Sequence, residues 1–160
     1  MPVFYDNILY LRINMKGKIA FRRILFYLLS FTWGAIMSTI GLIAMGIFAC
    51  CGRVRVWHGR LYALVGNDWG GLELGCFFLA GKNGESNPHL CGHECGHGLQ
   101  NCLWGPLFIF VIFLPSAIRY WYRYLRYERK GKTPPTKYDD IWFEGQATKW
   151  GTKYVNTDML

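Results

Sequence analysis

The chain has 160 residues, 52% of them hydrophobic and 18% charged, with 18 Lys+Arg against 10 Asp+Glu and a net charge of +8. This excludes a disordered chain, which needs low hydrophobicity and high charge. Its 19 glycines follow no fixed period, which excludes a collagen-like or low-complexity chain.

Residues 1–23 form a basic N-terminal segment, with five basic residues and one acidic. Residues 24–52 then carry no charge at all. As a helix they would reach roughly 43 Å, ample for a hydrocarbon core of about 30 Å. Arg22 and Arg23 precede the run and Arg53 and Arg55 follow it, where interface anchors belong. The run is too long for the apolar core of a signal peptide and ends in no small-x-small cleavage site. It is expected to be a retained, single-pass transmembrane anchor. Basic blocks beside apolar runs suit a lipid bilayer, and no nucleic-acid partner is expected.

Residues 53–160 are expected to fold as one domain. Between 53 and 81, Val54, Val56, Leu61, Ala63 and Val65 alternate with polar neighbours, the pattern of half-buried strands. Gly66-Asn67 and Gly70-Gly71 supply turn chemistry, and residues 74–79 read as a buried or edge strand. If that strand is an edge, its unpaired amides offer a place for an extended substrate. After a Gly/Asn/Ser loop over 81–88 the period becomes helical.

That helix carries His93-Glu94-Cys95-Gly96-His97, a His-Glu-x-x-His motif. Residues four apart lie about 40° apart around a helix, so both imidazoles project from one face and can converge on one Zn²⁺. Glu94 lies about 100° round from His93, beside the metal, where it can act as general base. Zinc lowers the pKa of water towards 7 and polarises a carbonyl. Gly92 and Gly96 are poor helix formers, but they let a neighbouring strand or substrate approach closely. His58 and His89 read as surface residues rather than ligands.

The next apolar stretch, 103–118, is interrupted by Pro106 and Pro115. The eight residues between them make about 12 Å of helix, too short to span, so the stretch is expected to contact the membrane without crossing it. Arg119, Arg123 and Arg126 then share one helical face among Trp and Tyr, a composition suited to the headgroup layer. After a breaker-rich linker over 131–135, Asp139 or Asp140 can cap a last helix running to about Trp150, with Gly151 ending it.

The segment around His93 and His97, followed by Leu99-Gln100 and Gly105-Pro106-Leu107, resembles the active-site helix of gluzincin-type metallopeptidases, in particular short membrane-associated bacterial zincins. The resemblance covers about residues 70–151. It implies an α+β, zincin-like minimal domain: a small antiparallel sheet plus active-site helices, tethered here by the N-terminal helix. It also implies Glu144, in Trp142-Phe143-Glu144-Gly145-Gln146-Ala147-Thr148, as the third zinc ligand, with Ala147 against the metal. In many members the fourth residue after the ligand Glu is an Asp that orients a ligand His. This chain has Thr148, whose hydroxyl accepts a His N–H more weakly.

Cys91, Cys95 and Cys102 form a helical stripe turned well away from the His93/His97 face and read as buried small residues. Two full membrane crossings would put His93 and His97 on the opposite side from Glu144, so either 103–118 does not cross, as its two prolines favour, or the site lies at membrane depth. The function expected is a membrane-anchored zinc metallopeptidase acting on a peptide or protein substrate, with His93, His97 and Glu144 as ligands and Glu94 as catalytic base. The alternative is a non-catalytic membrane protein with a structural or vestigial metal site.

Overall fold

A computed structural model of the chain describes residue 17 and residues 19–156; most of the basic segment expected over 1–23 lies outside them. The described residues form an α+β fold. Helices α1 (Ile19–Phe31) and α2 (Ala35–Cys50) lead into strands β1 (Val54–Trp57), β2 (Arg60–Leu64), β3 (Gly71–Leu74) and β4 (Phe77–Ala80). Helices α3 (Pro88–Trp104), α4 (Leu114–Arg126) and α5 (Trp142–Asn156) follow.

The expected continuous helix over 24–52 is instead two helices, bent by 95° where α1 meets α2. Hydropathy hid the break, because its causes are contacts. Thr32 turns its hydroxyl back to the Leu28 carbonyl (2.7 Å), and Trp33 Nε1 reaches the Leu103 carbonyl (3.4 Å). Asn101 Nδ2 donates to the Gly34 carbonyl, and a Cβ at Gly34 would lie 2.3 Å from that nitrogen. Among the described residues no single helix is long and apolar enough to cross a membrane. Two bent pairs pass by length and composition.

The sheet runs β1-β2-β4-β3 and is mixed, not antiparallel as expected. β1 and β2 form a two-residue hairpin in which His58 and Gly59 both have positive φ (46° and 83°), as the twist of such a turn demands. β3 and β4 form a second hairpin, and β4 inserts beside β2 in parallel, Tyr62 opposite Phe78. Alternating hydrophobicity marks strands but not their order. The more apolar strand of the second hairpin, Phe77–Ala80, takes the centre, and Gly71–Leu74 with its glutamate takes the edge. The strand expected over 74–79 is therefore the end of β3, a turn and interior β4, whose ladders are filled on both sides. The edge strands are β1 and β3, and β3 is the one beside Glu94.

The inner face of α2 (Met37, Ser38, Gly41, Met45) lies on the β3–β4 hairpin, where a Cβ at Gly41 would meet the Leu74 carbonyl at 2.3 Å. Phe26, Tyr62, Phe78, Cys76, Cys91 and Cys95 are buried in one core, and all six cysteines are free. The same interior holds Arg60, fully buried, donating to the carbonyls of Gly75 (2.7 Å) and Cys76 (3.3 Å) with the Phe26 ring 4.8 Å away.

Helix α3 starts at Pro88, with the Asn87 side chain accepting the Leu90 N–H (3.1 Å). The chain then turns at Gly105 (φ 53°), passes through a π-helical turn over Ile109–Phe113 just before Pro115 and enters α4, a total bend of 118°. Proline lacks the N–H that a regular α-helical ladder would use there. On α4 two of the three arginines do not face outward. Arg119 donates to the carbonyls of Lys137 (2.8 Å) and Tyr138 (3.1 Å), and buried Arg123 donates to that of Thr136 (2.8 Å). They hold the 136–138 loop against the helix, leaving Ile118, Trp121, Tyr122 and Leu125 exposed.

Candidate metal centre

The site sits where α5 crosses α3 at backbone contact. A Cβ at Gly96 would lie 1.9 Å from the Ala147 carbonyl oxygen, and one at Gly151 would lie 1.8 Å from that of Gly92. Small residues on both helices thus allow a separation that larger ones forbid. Gly151 serves this crossing rather than ending the helix, which continues to Asn156. Ala147 packs on the α3 backbone at Gly96, and the close approach at Gly92 and Gly96 is made by a helix, not by a strand or substrate.

The crossing brings Glu144, in the first turn of α5, to the His93/His97 face of α3. Glu144 Oε2 lies 3.1 Å from Nε2 of each imidazole, and the two Nε2 atoms lie 3.1 Å apart. His93, His97 and Glu144 are 8%, 6% and 0% exposed. Bonds of about 2.0–2.1 Å in a tetrahedron set ligand atoms roughly 3.3–3.4 Å apart, so three atoms at 3.1 Å form close to one face of such a shell. These residues can hold a metal ion.

Hydrogen bonding aims the rings. Gln100 Nε2 donates to the Phe143 carbonyl (2.8 Å) and to Gln146 Oε1 (2.9 Å). A carbonyl only accepts, so the Gln100 amide is turned with Oε1 towards His97 Nδ1, 2.7 Å away. His97 therefore carries a proton on Nδ1, and Nε2 is the ring nitrogen turned towards Glu144. His93 Nδ1 lies 2.8 Å from Thr148 Oγ1. Two ring nitrogens and a carboxylate oxygen 3.1 Å apart favour a positive charge among them, carried by a ring proton or a metal ion. Burial opposes charge on His97, but the Glu144 hydrogen bond and nearby Glu94 outweigh it and raise the imidazole to about 9. Burial also opposes charge on Glu144, yet the two imidazoles at its oxygen hold the carboxyl well below the usual range.

Glu94 is buried beside the triad, against the edge strand: a Cβ at Gly71 would lie 2.5 Å from its Oε1. Burial raises its carboxyl, against the pull of His93 and His97. His93, Glu94 and His97 line a cavity of ≈ 680 Å³, walled on one side by Trp69–Glu73 and on the other by apolar residues including Phe108, Ile112 and Trp121. Glu73 adds a second buried carboxyl to this cavity, raised by burial to about 8 against the pull of Arg60. His89 lies at the cavity while His58 sits in the β1–β2 turn, and neither joins the triad.

Three residues of the site carry roles that the sequence alone does not reveal. Gln100 lies at i+3 from His97, a spacing that places side chains together on a helix and so is a usable signal. Tyr138, its ring 6.1 Å from that of His93 and its hydroxyl 3.3 Å from Ser116 Oγ, carries none. Asp139, expected as a helix cap, lies instead against Thr148. Compared with protein-family models, curated proteins and solved structures, the chain matches none of them.

Proposed function

We propose that the chain is a membrane-associated zinc metallopeptidase, with His93, His97 and Glu144 as ligands and Glu94 as general base. The observation that carries this reading is the triangle of two imidazole nitrogens and one carboxylate oxygen at 3.1 Å, buried yet bordering a cavity. Two nitrogens and one oxygen are a donor set zinc favours, and three protein ligands leave a fourth position for chemistry. When bound, zinc supplies a Lewis acid that makes water nucleophilic near neutral pH and polarises a carbonyl.

Glu94 then takes the proton from the attacking water and returns it to the leaving nitrogen as the C–N bond breaks. Its burial favours that work, because burial raises the carboxyl and so makes its ionised form a better proton acceptor. The free edge of β3 at the cavity wall offers backbone groups to an extended peptide, which would pass beside Glu94.

The membrane reading rests on outward-facing apolar residues: Ile24 and Leu28 on α1, Ile36, Ile40, Ile43 and Ile47 on α2, and Leu107, Phe110, Leu114 and Ile118 across the second bend. Exposed apolar surface of this kind suits lipid.

Glu94→Gln tests the reading. Purified with its metal and offered unstructured peptides, the variant should keep one zinc per chain and lose turnover by about 10²–10⁴-fold. If wild type shows no hydrolysis and Glu94→Gln leaves zinc content and cellular phenotype untouched, the metal is structural and the peptidase reading fails.

A further inference from the structure

We propose that Asp139 is a positioning residue for His93, acting through the hydroxyl of Thr148. Thr148 Oγ1 donates to Asp139 Oδ2 (2.9 Å) and lies 2.8 Å from His93 Nδ1. An ionised carboxylate only accepts, and a threonine hydroxyl has one proton. That proton is committed to Asp139, so the Thr148 oxygen can only accept from the ring. His93 must carry its own proton on Nδ1 and turn a bare Nε2 towards His97 and Glu144. Asp139 thereby does for His93, at one remove, what the Phe143 carbonyl does for His97 through Gln100.

The surrounding residues are arranged for this contact. Asp140 is engaged elsewhere: it accepts the Lys137 N–H (2.8 Å) and closes the short 138–140 turn, leaving Thr148 to its neighbour. A Cβ at Gly145 would meet the Asp139 carbonyl at 2.6 Å, so glycine there lets the loop lie against α5 within reach of Thr148. Thr152, one turn on, bonds back to the Thr148 carbonyl (2.8 Å), a common habit of helical threonine, whereas Thr148 spends its proton on Asp139. The carboxylate that backs Thr148 thus comes from outside the helix. Outer partners of this kind are typically worth 10–100-fold in metal affinity.

The effect on affinity rests on the metal reading above; the effect on the ring does not. The test uses the full chain in detergent, with thermal melts to establish that each variant is folded. Zinc affinity is read by competition with a chromophoric chelator. Asp139→Ala and Thr148→Val should each weaken zinc roughly 10–100-fold. The double variant should be no weaker than either single one, since both cut the same link. Thr148→Ser, which keeps the hydroxyl, should restore affinity to within about threefold, with the same link intact. In metal-free protein, ring ¹⁵N spectra should show His93 protonated on Nδ1 in wild type and a tautomer mixture in Asp139→Ala.

Unchanged affinity and an unchanged His93 tautomer in Asp139→Ala would overturn the proposal, as would additive losses in the double variant. A wild type that binds no zinc, yet shows the Asp139-dependent tautomer, would sink the metal reading and leave the relay standing. Should Asp139→Ala not fold, Asp139→Asn decides the question in its place, with changes in the same direction but smaller.

Discussion

The α3–α5 seam and the outer faces of α1 and α2 meet their surroundings in opposite ways. In the seam, His97 is paired with Gln100, His93 with Thr148 and Glu144 with both rings, all in the interior. On α1 and α2, isoleucine and leucine side chains are turned outward, and among the described residues they are largely uncovered. Burying a polar group is tolerable only partner by partner, while a large outward apolar face suits an apolar partner. The contrast teaches that one short chain divides its work: glycines and hydrogen bonds build the site, and in the proposed reading the outward apolar faces meet lipid.

The largest effect should come from forcing the seam apart. Gly96→Val or Gly151→Val puts carbon against a backbone carbonyl, which no rotamer relieves, and should cost at least about 3 kcal/mol and abolish metal binding. Denaturant melts beside zinc titrations measure both; a variant with native stability would show that the helices do not touch as described.

Smaller effects should follow in the site and on the outer face, and they should not mix. Gln100→Leu keeps size but removes the acceptor for His97 and should weaken zinc about 10–100-fold with modest loss of stability. Ile40→Lys with Ile43→Lys should lower co-flotation with liposomes several-fold and leave zinc affinity unchanged. Zinc loss in the outer-face pair, or wild type staying monodisperse without detergent or lipid, would erase the division between the two regions.

The smallest effect concerns the cysteines. Burial pushes the Cys76 thiol to about 11 and the Cys91 thiol to about 12. A raised thiol pKa keeps the unreactive protonated form as pH rises, so both should resist alkylation through about pH 9 in the folded chain. Exposed Cys50 and Cys51 should react freely. Mass spectrometry after a brief iodoacetamide pulse reads the pattern, and equal labelling of all four would argue against this core.

What the chain discloses before folding depends on how local each signal is. His93, Glu94 and His97 lie within five residues, and helical spacing alone places them together. Glu144 is 47 residues from His97, and only the family resemblance singles it out. Asp139 is ambiguous because a carboxylate before a helix fits a cap equally well, and only the fold shows that it meets Thr148 while Asp140 closes the 138–140 turn. The break at 32–34 is invisible because hydropathy does not record that Gly34 must sit on Asn101. Buried Arg60 is equally hidden: its alternation on β2 suggests solvent, whereas the Gly75 and Cys76 carbonyls receive it inside. The parallel β2–β4 pairing depends on which strand best fills the centre, a competition among elements rather than a property of either.

The most direct test of the account is the zinc content of the purified chain beside His97→Ala, Glu144→Ala and Glu94→Gln. One zinc per chain is predicted in wild type and Glu94→Gln, and none in the other two. Zinc retained by Glu144→Ala at wild-type stoichiometry, or absent from wild type itself, would contradict it.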